Sequence, residues 1–498
     1  MKIFLKNSTF FSCSFLFLLV PSYTFSVAYD YNGNPVKPAR TTFKASDNGY
    51  TLSAQKAKIS TTPNQNGTLF QPFGSAGTTL LNPQIGTSTG NRLEQIFIDN
   101  NEKIICGGYS QIGFNSYFSI ARFTSSGLLD TSFNSLQINS QAGTNYVPFS
   151  ISGLNTPNDQ CTSCISNNNK YLLGGYTPTS LGTIRFALAQ FTQEGILDST
   201  FGTGGTTYIP NAIAAAGDDF MFTLNKQTDG NIIAAGQSNF HISLARFLPS
   251  GTLDTSFGGN GTGYTFIPVF IAGGANDQCF ACGIQSNGNI IVAGQSNNKM
   301  AIACFTPTGT LNTFFGGNGT GYTFITPTIA GGNNDLCYEL TIQPDDKIVL
   351  AGFSQDINNR NHFALARYLS NGILDTTFGT NGTTFFPFLV AGSTSDIAYS
   401  VQLQSDGKIL VSGTSNNQST VVRLTTNSAV DSTFGSNGIV TLAIAQFRRA
   451  QSIQLTDTAI IIGGSSIFSP FFSLCKLSNI PSQATFDAVN FGNAGLVA

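Results

Sequence analysis

One phrase recurs down the chain: Leu-Ala-Arg-Phe, a few polar residues, then Gly-x-Leu-Asp-x-x-Phe-Gly. Its Asp falls at Asp130, Asp198, Asp254, Asp375 and Asp431, with Asn312 in its place once. A degenerate copy around Phe70 (67–74) precedes these and another begins at Asp487, so successive steps are 60, 68, 56, 58, 63, 56 and 56 residues. So regular a step restricts the chain to repeat architectures. Its length exceeds that of two-helix repeats and suits a four-stranded blade. Composition agrees: the 53 Gly and the abundant Thr and Phe disfavour helix and suit turns and strands.

One unit parses over 383–438. Thr383 to Val390 reads as an aromatic-rich strand and Ala391 to Asp396 as a loop. Ile397 to Gln404 alternates as a second strand. Ser405-Asp406-Gly407 is a hairpin turn, since Asp-Gly supplies the positive φ that such turns need. Lys408 to Ser415 is a nearly continuous apolar strand, as in a sheet buried on both faces. Ser419 to Thr425 is a fourth strand, and Asn427 to Gly438 a turn-rich link to the next unit. The strand-turn-strand core recurs near Gln95, Cys161, Phe222, Cys282, Leu340, Val401 and Ser452. The prediction is an all-β chain: a single β-propeller of seven four-stranded blades, with eight as the alternative. Closing the ring needs a strand from one terminus to complete the blade at the other, and 67–82 and 484–498 are the candidates.

The run Gln404 to Gly413 (Gln-Ser-Asp-Gly-Lys-Ile-Leu-Val-Ser-Gly), with Val-Arg-Leu at 422–424 and Val-Asp-Ser-Thr-Phe-Gly at 430–435, resembles the delta-60 repeat family. The resemblance spans 67–498 and implies a bacterial exported β-propeller of uncharacterised function. The outer copies depart from it: Phe70 replaces the Asp, and Thr458-Ala459 replaces Gly-Lys.

The N-terminus predicts export. Lys2 and Lys6 precede an apolar run of 11 residues, Phe10 to Val20, and Ser26 and Ala28 suit cleavage after Ala28. This is the layout of a signal peptide over 1–28, and the run is too short to span a bilayer. Cys13 lies inside the run rather than after it, against lipidation. Residues 29–66 read as an N-terminal extension, in which Ser46-Asp47-Asn48-Gly49-Tyr50 is the trace of a degenerate blade, and 67–498 as the propeller. The expected location is secreted, periplasmic or cell-surface. No transmembrane segment is expected in the mature chain. A net charge of −2 without a basic patch argues against nucleic acid.

Four constellations could carry chemistry. Arg precedes Asp by eight residues at Arg122/Asp130, Arg246/Asp254, Arg367/Asp375 and Arg423/Asp431. Where Arg becomes Cys304 the Asp becomes Asn312, a paired loss that buried ion pairs require. Gln190 with Asp198 is the exception. A structural clamp on the inter-blade link is favoured over a repeated anion site. Asp159, Asp219, Asp277, Asp335 and Asp396 occupy matching places before the second strand of each unit, with Asn91 in the first. They form a candidate ring for a cation or cationic ligand, weighed against carboxylates that accept backbone N–H bonds after Gly-rich loops. The spacing of a dedicated calcium loop is lacking. Cys161-x-x-Cys164 and Cys279-x-x-Cys282 look like zinc half-sites, but i and i+3 on a strand point to opposite faces. They read as inert buried residues, and no metal or cofactor is expected. His241 and His362 lie in different units and suggest no triad, so no catalytic residue is assigned.

The expected function is an exported non-catalytic scaffold for protein or carbohydrate binding. A monomer is expected, with an unknown extracellular protein or glycan as partner. The alternatives are an extracellular polysaccharide hydrolase or lyase using acidic residues near the channel, and a structural cell-surface component.

Overall fold

A computed structural model of the chain describes residues 73, 78–81, 90–214, 217–326, 328–387, 389–390, 392–442, 449–456, 459–466 and 469–478. The expected signal peptide and extension, and the segment 484–498, lie outside the described residues. The described strands form seven four-stranded antiparallel sheets. From innermost to outermost strand, blade I is Gly90–Ile98, Ile104–Ile112, Asn115–Phe123 and Thr144–Tyr146. Blade II is Gln160–Asn167, Lys170–Pro178, Ile184–Phe191 and Thr206–Tyr208. Blade III is Asp219–Lys226, Ile232–Ser238, His241–Phe247 and Tyr264–Phe266. Blade IV is Asp277–Ile284, Ile290–Ser296, Lys299–Phe305 and Tyr322–Phe324. Blade V is Gly331–Ile342, Ile348–Asp356, Asn361–Tyr368 and Thr383–Phe386. Blade VI is Asp396–Leu403, Ile409–Ser415, Gln418–Leu424 and Ile439–Leu442. Blade VII is Arg449–Leu455, Ala459–Ser466, Ser469–Ser478 and, from the other end of the chain, Thr78–Leu81.

The innermost strand of each blade touches that of the next, and blade VII touches blade I, so the ring is closed. Thr78 pairs with Cys475 and Leu81 with Phe472; of the two closing candidates, the structure shows a strand from 67–82. An apolar cluster fills each blade interface. The one between blades VII and I joins Leu93 and Ile96 to Ile461 and Leu474. Every blade is thus buried on both faces, which is why its second strand reads as an unbroken apolar run. Among the described residues no helix is long and apolar enough to cross a membrane.

The sequence unit and the structural blade are out of phase. Thr383–Phe386 is the outer strand of blade V, paired through Phe363 with Phe386, not the opening strand of blade VI. The link 427–438 therefore joins the third and outer strands of one blade rather than two blades. Links and first hairpins lie on one face of the disc, here the link face. Second hairpins and blade-to-blade crossovers lie on the other, the crossover face.

Each innermost strand carries a β-bulge at the same step, at Glu94, Thr162, Phe222, Phe280, Tyr338, Tyr399 and Gln451, and that of blade V has a second register shift between Gly331 and Asp335. A bulge brings the inner backbone towards its neighbour, and a glycine of the second strand receives it. A Cβ at Gly108, Gly175, Gly236, Gly294, Gly352 or Gly413 would stand within 2.0 Å of an inner-strand carbonyl oxygen. The extra residue also resets the side-chain alternation. Cys161 and Cys164 consequently fall in one apolar cluster, as do Cys279 and Cys282 in another. The expectation that each pair straddles its strand is overturned by the bulge between its members.

Candidate functional site

On the link face each Arg of the recurrent phrase ends the third strand of its blade. Its Nε lies 2.9, 2.7, 2.8 and 2.8 Å from the Asp at Arg122/Asp130, Arg246/Asp254, Arg367/Asp375 and Arg423/Asp431. The carboxylate also accepts a hydroxyl bond from Ser132, Ser256, Thr377 or Thr433. The guanidinium stacks over Phe133, Phe257, Phe378 or Phe434 at 4.6–4.9 Å. Its Nη1 then reaches a carbonyl of the following blade, at Gln193, Pro307 and Thr426. One side chain therefore fastens its own link and the next blade together. The link phenylalanine crosses the same boundary. A Cβ on Gly195, Gly309 or Gly372, all at positive φ, would meet the ring of Phe133, Phe257 or Phe315 within 2.7 Å.

The belt also closes across the termini. Lys476 stands where Arg stands elsewhere, donates to the Ser125 carbonyl at 3.2 Å and lies 5.8 Å from the Phe73 ring. Phe73 in turn sits under Gly127. Phe73, the phenylalanine of the degenerate copy around Phe70, therefore takes the place of a link phenylalanine for blade VII. Aligning Leu474-Cys475-Lys476-Leu477 with Leu-Ala-Arg-Phe was the signal available in the sequence.

Blade II solves its missing Arg differently. Lys170 donates to Asp198 at 2.6 Å and Gln190 at 2.7 Å. Burial pushes Asp198 upward, but these bonds and that from Thr200 outweigh it and hold the carboxyl at about 2. The equivalent Lys103, Lys347 and Lys408 stand 3.1, 3.8 and 3.3 Å from carboxylates that already have an Arg. Lys170→Ala is therefore expected to cost about 2–3 kcal/mol and Lys408→Ala under about 1 kcal/mol, read as urea midpoints. Equal losses would remove Lys170 as the substitute.

The structure places Asp219, Asp277 and Asp396 on the first residue of their innermost strands, Asp159 one step before its strand and Asp335 at the matching step of the longer Gly331–Ile342, on the crossover face, all wholly buried. Each accepts a backbone N–H from the crossover before it: from Ile151, Ile213, Ile271, Ile329 and Leu389. Asp159 further accepts from Thr177, Asp335 from Ser354 and Asp396 from Ser393. Their oxygens face the crossovers and are not open to a ligand in solution. Burial raises Asp159 to about 7, despite the bonds from Thr177 and Ile151. It likewise raises Asp219 and Asp335 to about 6.

These shifts have opposite signs to those on the link face. A raised carboxyl binds a proton in the folded chain that the unfolded chain has released, so its contribution to stability falls as pH rises from about 4 to about 7. The link carboxylates of Asp130, Asp198 and Asp431, at about 2, contribute fully above about pH 4 and lose that contribution as pH falls towards 2. Melting temperature is expected to peak near pH 4, and Asp159→Asn to flatten the decline towards pH 7.5. A profile still rising between pH 5 and 7.5 would contradict this.

The channel wall is built by the bulged residues and by the residues two steps before them. On blades III to VI the bulges are aromatic. Phe222 and Phe280 lie 5.2 Å apart, Phe280 and Tyr338 5.8 Å, Tyr338 and Tyr399 5.4 Å. Phe220, Leu336 and Ile397, nearer the crossover face, pack onto the same cluster. These rings are buried and fill their side of the axis. On blades VII, I and II the same steps hold Gln451, Glu94 and Thr162, with Arg449, Arg92 and Gln160 towards the crossover face. Arg92 Nε lies 3.4 Å from Glu94, and the Arg92 side chain keeps 13% of its exposure. Burial raises the Tyr399 hydroxyl, and the charges of Arg449 and Arg92 pull it back. Nothing in the sequence alone marked this sector. It emerges only when the seven innermost strands are aligned on their bulges.

The remaining candidates come together less. His241 stacks on Phe270 at 4.5 Å and His362 lies 3.2 Å from Asp356, in blades III and V. All eight described cysteines are unbridged and buried, and burial raises Cys164 and Cys304 to about 12. Among the described residues no three His, Cys, Asp or Glu side chains gather as a metal site. A recess of about 450 Å³ on the link face is lined by Lys226, Gln285, Ser286 and Thr341 among others.

Five segments, 100–133, 227–257, 285–315, 343–378 and 404–434, match a family model described as a domain of unknown function (DUF5122) beta-propeller. Each segment ends on the link phenylalanine of its blade. No curated protein matches the chain. Among solved structures the chain is similar to virginiamycin B lyase from Staphylococcus aureus, at 12% identity, TM-score 0.46, covering 81% of this chain and 99% of that one. It is also similar to the polysaccharide lyase Uly1, at 10% identity, TM-score 0.44, covering 84% and 98%. YCF48 bound to D1 peptide is a third, at 10% identity, TM-score 0.43, covering 84% and 99%. With its seven blades and its five matched segments, the chain is a β-propeller repeat protein.

Proposed function

We propose that this is an exported, non-catalytic scaffold that binds a protein or glycan at the channel mouth on its crossover face. One observation carries the reading. A ring of repeats needs only equivalent blades, yet the bulge layer of the channel wall loses its aromatic side chains in one sector, on blades VII, I and II, and the layer towards the crossover face is polar or charged in that sector and, outside it, only at Gln278 of blade IV. The fold asks for a packed wall there, as on blades III to VI. Arg92, Arg449, Glu94 and Gln451 instead give a polar wall facing an apolar one, the mixture expected of a ligand site. The aromatic fill beneath directs a ligand to the mouth rather than through the disc.

The test is capture of glycans and extracellular proteins by the mature chain on arrays, repeated with Arg92→Ala and Arg449→Ala. Loss of the captured ligand in both variants supports the mouth; undiminished capture removes it. Glu94 in the channel wall, beside a guanidinium, favours the second reading, a polysaccharide hydrolase or lyase. Release of shortened or unsaturated sugars from acidic polysaccharides, abolished by Glu94→Gln, would replace the first reading by that one.

A further inference from the structure

We propose that the recess on the link face is a second binding site, for a small organic anion made of an apolar body and one carboxylate. It is separate from the mouth on the crossover face, and neither site depends on the other. The link-face ends of three innermost strands form it: Asp219–Lys226, Asp277–Ile284 and Gly331–Ile342 of blades III, IV and V. Its volume of about 450 Å³ falls in the range of small-molecule sites. Asn225 Nδ2 donates to the Cys282 carbonyl at 3.0 Å and ties two of these strands together. Ile284, Leu340 and Ile342 give the recess an apolar side, and Thr228 and Thr341 add hydroxyls.

Lys226 is the only charged residue in this lining. It pairs with Ile232 at the last step of its innermost strand. The matching step of the other blades holds Ile98, Ile284, Ile342, Leu403 and Leu455, with Ser166 in blade II. A repeat that needed only packing would keep this step apolar. Blade III instead places an ammonium there, half-buried, and among the described residues no carboxylate pairs with it. The hairpin carboxylates nearby in the chain are engaged elsewhere. Asp229 accepts from Asn231, and Asp346 from the backbone N–H and hydroxyl of Ser286. An unpaired cation set among isoleucines suits an anion that brings an apolar body with it.

A second, independent observation concerns Gln285, which lines the same recess and is only 3% exposed. Its Nε2 is fixed on the Asp346 and Ser370 carbonyls at 3.1 and 2.9 Å. The amide oxygen on the same side chain is buried with no hydrogen-bond partner among the described residues. A buried acceptor left unpaired carries a free-energy cost, and a ligand hydroxyl reaching it from the recess relieves that cost. The preferred ligand is therefore a hydroxy acid rather than a plain carboxylate.

Calorimetric titration of the full chain with para-hydroxybenzoate, its uncharged methyl ester and benzoate tests this. The hydroxy acid should bind about tenfold more tightly than its ester and severalfold more tightly than benzoate. Lys226→Met keeps an apolar stem and removes the charge. It should bring the hydroxy acid down to the affinity of the ester and leave the ester unchanged. A merely structural Lys226 would move both ligands alike or neither, and thermal melts check that the variant folds. Equal binding of acid and ester to the native chain would overturn the anion assignment. An acid preference that survives Lys226→Met would place the anion elsewhere and overturn the recess as its site. So would the absence of heat with all three compounds at millimolar concentration. Benzoate binding as tightly as the hydroxy acid would remove Gln285 from the site. None of these outcomes touches the mouth on the crossover face.

Discussion

Gly352→Ala is expected to unfold the protein under ordinary conditions. The added methyl would stand 1.8 Å from the Leu336 carbonyl oxygen, 2.8 Å from its carbon and 3.0 Å from Cys337 Cα. All three are backbone atoms of a bulged strand held in a closed ring, so none can yield as a flexible side chain could. Relief needs the bulge at Tyr338 to flatten, which would also pull that ring out of its contacts with Phe280 and Tyr399. A loss above about 4 kcal/mol is expected, at the extreme of single substitutions. Gly90→Ala is the control: its nearest neighbours are at 3.6 and 3.8 Å, and its effect should stay within about 1 kcal/mol. Urea denaturation of the two side by side decides. Similar midpoints would show that the glycine opposite the bulge is not required.

Arg367→Ala should be the next largest effect, about 3–5 kcal/mol, because it leaves a buried carboxylate without its main partner. Asp375 is only 4% exposed, and Lys347, at 3.8 Å, is too distant to replace a hydrogen-bonded guanidinium. The same change removes the bond to the Thr426 carbonyl, 2.7 Å, and the stacking on Phe378, so blade V loosens from blade VI. The molecule itself indicates the compensation. In blade IV the pair is Cys304 and Asn312, joined by a weak contact of 3.7 Å, with no charge to strand. Arg367→Cys combined with Asp375→Asn should therefore lose less than the sum of the two single changes. An additive double variant would mean that the two side chains do not act as a pair.

Much of this architecture is legible in the sequence because it is repeated. The 56- to 68-residue step, the Asp406-Gly407 hairpin and the Arg-Asp spacing each announce a contact local enough to read. What is not legible depends on one residue inserted in a strand. Alternation alone cannot show that Tyr338 or Thr162 is supernumerary, since a bulge changes parity without changing composition. That single step hid both the shared side of Cys161 and Cys164 and the membership of the channel wall. The phase of the unit was hidden for a different reason. Thr383–Phe386 is as strand-like before the crossover as after it, and only pairing assigns it to blade V. The channel-mouth residues Arg92 and Arg449 carry no motif, because what distinguishes them is their difference from the other blades.

The seventh blade is made of chain from both ends, three strands late in the sequence and one early. Synthesis therefore proceeds from the closing edge all the way round before that edge can be used. Until Ser469–Ser478 arrives, Thr78–Leu81 has no partner and the apolar flank of Leu93 and Ile96 faces water. An incomplete chain is an open horseshoe with two adhesive ends. The last strand acts as the latch, and the cost of an interrupted C-terminus falls on the N-terminal blade that never receives its neighbour.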